Sequence, residues 1–261
     1  MQIVYPQTTE WINCLNTNNY KAINRKTGLK QTIAKIISIL FHPVFLTPFL
    51  VSSFLYSDSS LLLQGNEKKI LLLFIFIVFT VLLPILSVFL FAKTKIISGV
   101  ELTNQKERSL PYLSCTLYYG ALFQLLFGLS IPLVYSGIAL AGCCLLLFLF
   151  LINLKWKISA HTAGAGTGLG IILYYLFIND NQNLALILFV PACIIAGLIG
   201  FSRLELKQHS NAEVYSGYLL GIVVSLASLF IYNSSILYFY LQWIFFFRKN
   251  RWYLLQAPQV L

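Results

Sequence analysis

Residues 184–233 read LALILFVPACIIAGLIGFSRLELKQHSNAEVYSGYLLGIVVSLASLFIYN. Two apolar stretches, 184 to 202 and 213 to 233, flank a short polar run. Each is long enough to cross about 30 Å of hydrocarbon as a helix. The junction holds Ser202 and Arg203, then His209 and Glu213. In a hydrocarbon setting ionisable groups persist only where they are paired or line a watery cavity, so an Arg, a His and a carboxylate between two spans read as a site.

The composition agrees with that reading along the whole chain. Hydrophobic residues make up 58% of the 261 and charged residues 10%, against about a quarter charged in soluble proteins. Further apolar segments at 33–57, 70–92, 112–134, 136–154 and 158–178 bring the expected number of spans to seven. Between them lie SDSS with QGNEKK, a polar loop from Lys93 to Arg108, Ser136 with Gly137, LKWK at 154–157, and NDNQN, all turn formers or charges that water must solvate. The expected fold is all-α, a polytopic transmembrane bundle. Residues 1–32 form a polar extension, 33–235 the membrane domain, and 236–261 an aromatic and basic tail suited to the membrane interface. No signal peptide is read at the start.

The net charge of +10 comes from 18 Lys and Arg placed mostly at the ends of apolar runs, where they anchor helices and meet anionic head groups; nucleic acid is not an expected partner. The five cysteines form no CxxC pair and mostly fall within apolar spans, as small core residues do. The three histidines, His42, His161 and His209, support no metal site. His42, ahead of Pro43, is expected to cap a kink or bond a neighbouring helix rather than to act on substrate. The glycines of HTAGAGTGLG at 161–170 imitate a phosphate loop, but no strand precedes them and no Lys follows. They form two interleaved GxxxG patterns, which let membrane helices approach closely.

Because helices alternate direction, the loops at 93–111, 154–157 and 203–212, each two spans apart, open on one face. That face gathers Lys106, Arg108 and Pro111, then Ser159 and His161, then Ser202, Arg203, His209 and Glu213. KISAH at 157–161 and SRLELKQHSNAEVYSG at 202–217 resemble the second and third signature motifs of the type 2 phosphatidic acid phosphatase superfamily. The Ser-Arg pair, the His and the carboxylate stand in the third motif's register, continued by Val214 and Gly217. The second motif keeps Ser159 and His161 but has Ile158 and Ala160 where the superfamily has Pro and Gly. Glu101 stands where the first motif's Lys would be, and Lys106, Arg108 and Pro111 are the nearest match. Glu213 replaces the usual Asp. The resemblance covers residues 93 to 221 and implies a six-helix core of that superfamily's type.

A phosphate ester needs a nucleophile for phosphorus, a proton for the leaving oxygen and cations for the nonbridging oxygens. His209 and Glu213, four residues apart, share one helix face, so the carboxylate can hold one ring nitrogen and leave the other free to attack. The resemblance implies His209 as nucleophile, Glu213 orienting it, and His161 as general acid. It also implies a cradle of Lys106, Arg108, Ser159, Ser202 and Arg203, with no metal and no organic cofactor. The expected activity is hydrolysis of a lipid phosphate or diphosphate, with membrane lipids as the other partners. Two alternatives stay open: a lipid phosphotransferase using the same phosphohistidine, and an inactive transporter or scaffold of the same fold.

Outside the candidate cradle, the motif face carries Lys21, Arg25, Lys26, Lys30, Lys35, Lys93, Lys95, Lys155, Lys157 and Lys207, ten in all, against Lys68, Lys69, Arg248, Lys249 and Arg251 opposite. The positive-inside rule then places the motif face in the cytoplasm of a bacterial inner membrane. Precedent among bacterial members of the superfamily points to the outer side.

Overall fold

The computed structural model describes residues 28–57, 66–100, 102, 104–129, 131–178 and 182–234. Among these no strand occurs. The chain forms α1 (Gly28–Leu40), α2 (Pro43–Ser57), α3 (Asn66–Lys93), a 3-10 turn (Lys106–Arg108), α4 (Ser109–Gly128), α5 (Leu133–Asn153), α6 (Ala160–Ile178), α7 (Gln182–Glu205) and α8 (Asn211–Asn233). Six of these helices, α3 to α8, are long and apolar enough to cross a membrane, consistent with a multi-pass membrane protein. Their outer faces remain apolar: Ile85, Leu86 and Phe89 of α3 and Ile187, Val190 and Ile194 of α7 are all exposed. Such faces are stable only against hydrocarbon, since a water-soluble protein rarely shows large contiguous apolar patches.

The segment expected to span as 33–57 is instead two helices, α1 and α2, bent by 60° and passing the same test only as a pair. Pro43 is the cause. It disfavours helical backbone at His42 and cannot donate to the preceding turn, so α1 stops at Leu40 and α2 restarts with Pro43 at its first position. In α3, Pro84 is accommodated differently, by a π turn over Val78–Leu82 in which Leu83 N–H reaches back to the Val78 carbonyl.

The break expected at Ser136 and Gly137 is not there. The preceding helix ends at Gly128 and α5 begins at Leu133, so both residues lie inside α5. Ser136 is fully buried and shares a 2.8 Å hydrogen bond with the Tyr232 hydroxyl, while a Cβ on Gly137 would meet Leu229. These two small residues are a packing surface for α8, not a turn. The aromatic and basic tail at 236–261 lies outside the described residues, as does the polar extension 1–32 except for residues 28–32, which belong to α1.

The centre of the bundle is the pairing of α6 with α8. A Cβ on Gly166 would run into the Tyr218 backbone, and one on Gly170 into Ser225 and the Ile222 carbonyl. From the other side, Gly217 faces Thr162 and Gly221 faces the Ala163 carbonyl. So a GxxxG pair on each helix brings the two backbones together, as small residues do in membranes. Of the two patterns on α6, only 166/170 serves this seam: Gly168 faces open space, and Gly164 lies against Pro43 and Leu46 of α2. The close approach fixes the starts of α6 and α8, and hence His161 and His209, relative to each other.

Candidate functional site

The junction of α7 and α8 is built by two helix-ending devices in immediate succession. At the end of α7, Lys207 N–H bonds the Leu204 carbonyl and Gln208 N–H the Arg203 carbonyl, with Lys207 left-handed at φ 53°. This is a Schellman motif, in which the left-handed position is usually glycine. Ser210 then caps α8: its hydroxyl accepts from Glu213 N–H, and the Glu213 carboxylate accepts from Ser210 N–H at 3.3 Å. That reciprocal pair is a capping box. His209 is thus held between a helix stop and a helix start.

The same Glu213 Oε2 lies 2.7 Å from His209 Nδ1, and the His209 side chain is almost wholly buried at 2% exposure. Burial holds the His209 imidazole below its ordinary value; Arg203 and Lys157 push the same way, and the Glu213 carboxylate opposes them. At neutral pH the ring is therefore uncharged, with Nδ1–H directed at the carboxylate and Nε2 carrying a lone pair. Glu in place of Asp has a local reason. At the third position of α8 the longer side chain can curl back to the Ser210 amide and still meet the imidazole.

Arg203, buried at 6% exposure, donates from Nη1 to Ser38 Oγ at 2.7 Å and from Nη2 to Gln208 Oε1, while its Nε has no partner among the described residues. His161, in the first turn of α6, is close enough to Arg203, His42 and His209 to interact electrostatically with all three. Among the described residues its Nε2 is buried without a hydrogen-bond partner of ordinary geometry, though the Ser38 backbone interacts with the ring. An unpaired buried nitrogen costs on the order of 1–3 kcal/mol, a cost that proteins tolerate chiefly where a ligand or a reaction uses the group. Ser159 is fully buried; its hydroxyl accepts from Thr162 N–H and its own N–H donates to the Glu213 carbonyl at 3.3 Å, tying the α6 start to α8. The Ser202 hydroxyl donates to Ile199 within its own helix at 2.7 Å.

The third loop arrives through a separate set of bonds. Gln105 and Asn153 exchange amide-to-carbonyl hydrogen bonds at 2.7 and 2.8 Å, and Asn153 also reaches Ser109, which docks the 104–109 segment on the end of α5. Arg108 donates from Nε to the Leu102 carbonyl at 2.8 Å and lies within electrostatic reach of Arg203. Lys106, on the same turn, is exposed, and its backbone N–H donates to Asn104 Oδ1 at 3.2 Å. So the segments at 104–108, 154–159 and 206–210 meet at one end of the bundle. They bring together Arg203, His209, Glu213, His161 and Arg108, and leave Lys106 outside that contact network.

An open pocket beside His209 is lined also by Lys157, Leu204, Lys207, Asn211 and Glu213. Lys157 donates to the Gln208 carbonyl at 3.0 Å, so it braces the loop that carries His209. Four residues enter the cluster that were not among the candidate site residues: Ser38 and His42, outside the motif segments, and Lys157 and Gln208, within them. His42 had a signal in the sequence, an imidazole placed before proline in an apolar run; Ser38 had none. No family model, curated protein or solved structure matches the chain.

Proposed function

We propose that this protein is a membrane phosphatase that removes phosphate from a lipid phosphate or diphosphate through a phosphohistidine, in the manner of the type 2 phosphatidic acid phosphatases. The observation that carries the reading is the His209–Glu213 contact of 2.7 Å beside the buried Arg203. A neutral imidazole with one nitrogen fixed on a carboxylate offers the other as a nucleophile, and a desolvated guanidinium binds the charge that accumulates on phosphoryl oxygens.

In the first step His209 Nε2 forms a bond to phosphorus as the ester oxygen departs, and that oxygen takes a proton from His161. Glu213 stabilises the positive charge that develops on the His209 ring. In the second step His161 accepts a proton from water, the water oxygen bonds to phosphorus, and the P–N bond breaks to release phosphate and restore His209. Arg203, with Arg108 behind it, holds the nonbridging oxygens throughout. The substrate tail stays in the bilayer against the apolar outer faces.

Purified protein in detergent or nanodiscs should release phosphate from short-chain lipid phosphates in excess EDTA, because its cations are arginines. Loss of activity on chelation with recovery on Mg²⁺ would contradict this mechanism, and equal turnover by His209→Ala would remove the nucleophile. The motif end is proposed to face the cytoplasm. A cysteine at the exposed Asn211, in a chain otherwise free of cysteine, should then resist an impermeant maleimide until the membrane is opened; ready labelling in intact cells would reverse the orientation.

A further inference from the structure

The break between α1 and α2 touches the candidate site at three places that none of the three motifs includes. Ser38, one turn before the break, accepts from Arg203 Nη1 at 2.7 Å. His42, at the break itself, stands edge to face with His161, ring centroids 5.1 Å apart and planes at 84°. One turn along α6 from His161, Gly164 is open enough that a Cβ there would sit in ordinary contact with Pro43 and Leu46. The Ser38 backbone also interacts with the His161 ring, so the break is seated on the side of the cluster where His161 Nε2 and Arg203 Nε lie buried, without a hydrogen-bond partner of ordinary geometry among the described residues.

His42 has an evident structural duty. Its Nδ1 accepts from Val44 N–H at 3.4 Å, and its carbonyl accepts from Phe45 N–H at 2.9 Å, so it caps α2. A cap alone calls for Ser, Thr, Asn or Asp, all of which serve better than an imidazole. Accepting at Nδ1 fixes the neutral tautomer with its proton on Nε2 and fixes the plane of the ring. The ring so fixed is a wall for His161. Ser38 does the corresponding work for Arg203: with Nη1 on Ser38 and Nη2 on Gln208, the guanidinium is held from both sides.

Resting on the phosphatase reading, we infer that the broken segment α1–α2 is a fourth part of the active site, with His42 a positioning residue for the His161 general acid and Ser38 a positioning residue for Arg203. A phosphatase that loses this clamp keeps its nucleophile and its acid but holds them loosely, and misplacement by about 1 Å can cost a hundredfold in rate.

His42→Asn separates the two duties, since asparagine caps a helix well but supplies no ring. With only three histidines in the chain, labelled ring resonances can be assigned by single substitutions and read without any assay of activity. The His161 ring resonances should move in His42→Asn while those of His209 stay, and the melting temperature should hold. In turnover, His42→Asn should lower kcat about ten- to a hundredfold with KM little changed. Ser38→Ala should lower kcat/KM by a similar factor, and Ser38→Thr, which restores a hydroxyl, should recover most of it. Unmoved His161 resonances in His42→Asn, or wild-type kinetics in both His42→Asn and Ser38→Ala, would overturn the inference. A wild-type protein without any phosphate release, yet with the His161 resonances responding to His42→Asn, would sink the phosphatase reading and its positioning roles while leaving the seating of the break intact.

Discussion

The two loops that supply cations to the site are built in opposite ways. Residues 206–210 are short, and every turn of the backbone there is fixed: a Schellman stop on α7, a capping box on α8, and Lys157 bracing Gln208 from the neighbouring loop. The segment between α3 and the 3-10 turn is longer in sequence, docked through Gln105 and Asn153, with Glu107 accepting from Ser98. Against the first loop stands Arg203, buried at the end of α7, and the loop itself holds a buried His209; the 3-10 turn that follows the second carries a half-buried Arg108 and an exposed Lys106. A charge acts strongly on a reaction where it is desolvated and pre-positioned, and weakly where water screens it. The contribution to turnover should follow the same order.

The sharpest break of that comparison would come from its strongest side. His161→Ala should slow phosphate release by about 10²- to 10⁴-fold, the usual range for a positioned proton donor. Arg203→Ala should cost about 10²- to 10³-fold, as the loss of a preorganised charge stabiliser does. On the other loop, Arg108→Ala should cost about tenfold and Lys106→Ala less than about threefold, because an exposed charge is screened. Steady-state kinetics on folded variants checks the series. A Lys106→Ala defect as large as that of Arg203→Ala would show that the 94–108 loop closes on substrate.

Glu213 divides between capping and chemistry, and conservative variants can tell the two apart. Glutamine also serves in a capping box, so Glu213→Gln keeps the helix start but loses the charge that stabilises a positive His209. It should slow turnover by about 10²-fold or more, while Glu213→Asp, charged but shorter, should lose less. The pH profile carries a sign. Burial lowers the His209 value from the ordinary 6.5 and Glu213 pulls it upward, so the acid limb of kcat/KM in wild type lies below 6.5 and in Glu213→Gln moves further to acid. A limb moving toward neutral pH would contradict the electrostatics assigned to this dyad.

The smallest effects test the scaffold behind the fixed loop. Gly221→Ala places a methyl against the Ala163 carbonyl and the α6 backbone, and should destabilise by about 1–3 kcal/mol. Gly168→Ala faces open space and should be neutral or up to about 1 kcal/mol stabilising through helix propensity. Thermal unfolding in one detergent compares them; equal effects would mean that the α6–α8 seam is not the close contact it is taken to be.

Much of this was legible in the sequence, and what was not has physical reasons. Apolar length alone marked the six long helices, because hydrocarbon thickness constrains them directly. The third motif revealed the His209–Glu213 pair by its spacing of four. The capping box of Ser210 and Glu213 was not read from the sequence, and it explains why a glutamate suits this position. Ser136 and Gly137 misled because small residues mark both turns and close helix contacts, and only the partner, Tyr232, distinguishes them. Pro43 inside an apolar run signalled a break, but the 60° bend depends on packing that no local pattern encodes. Ser38 was invisible, since its role rests on Arg203, 165 positions away.

The central claim is that His209 itself carries the phosphoryl group, and trapping that group is the most direct test. Purified protein turning over a lipid phosphate labelled in its phosphorus would be denatured in alkali, where phosphohistidine survives, and mapped by peptide. The account predicts an acid-labile phosphoryl group on His209, absent from His209→Ala and longer-lived in His161→Ala, where water is poorly activated. Turnover with no trapped intermediate in either background, or a label on any other residue, would contradict it.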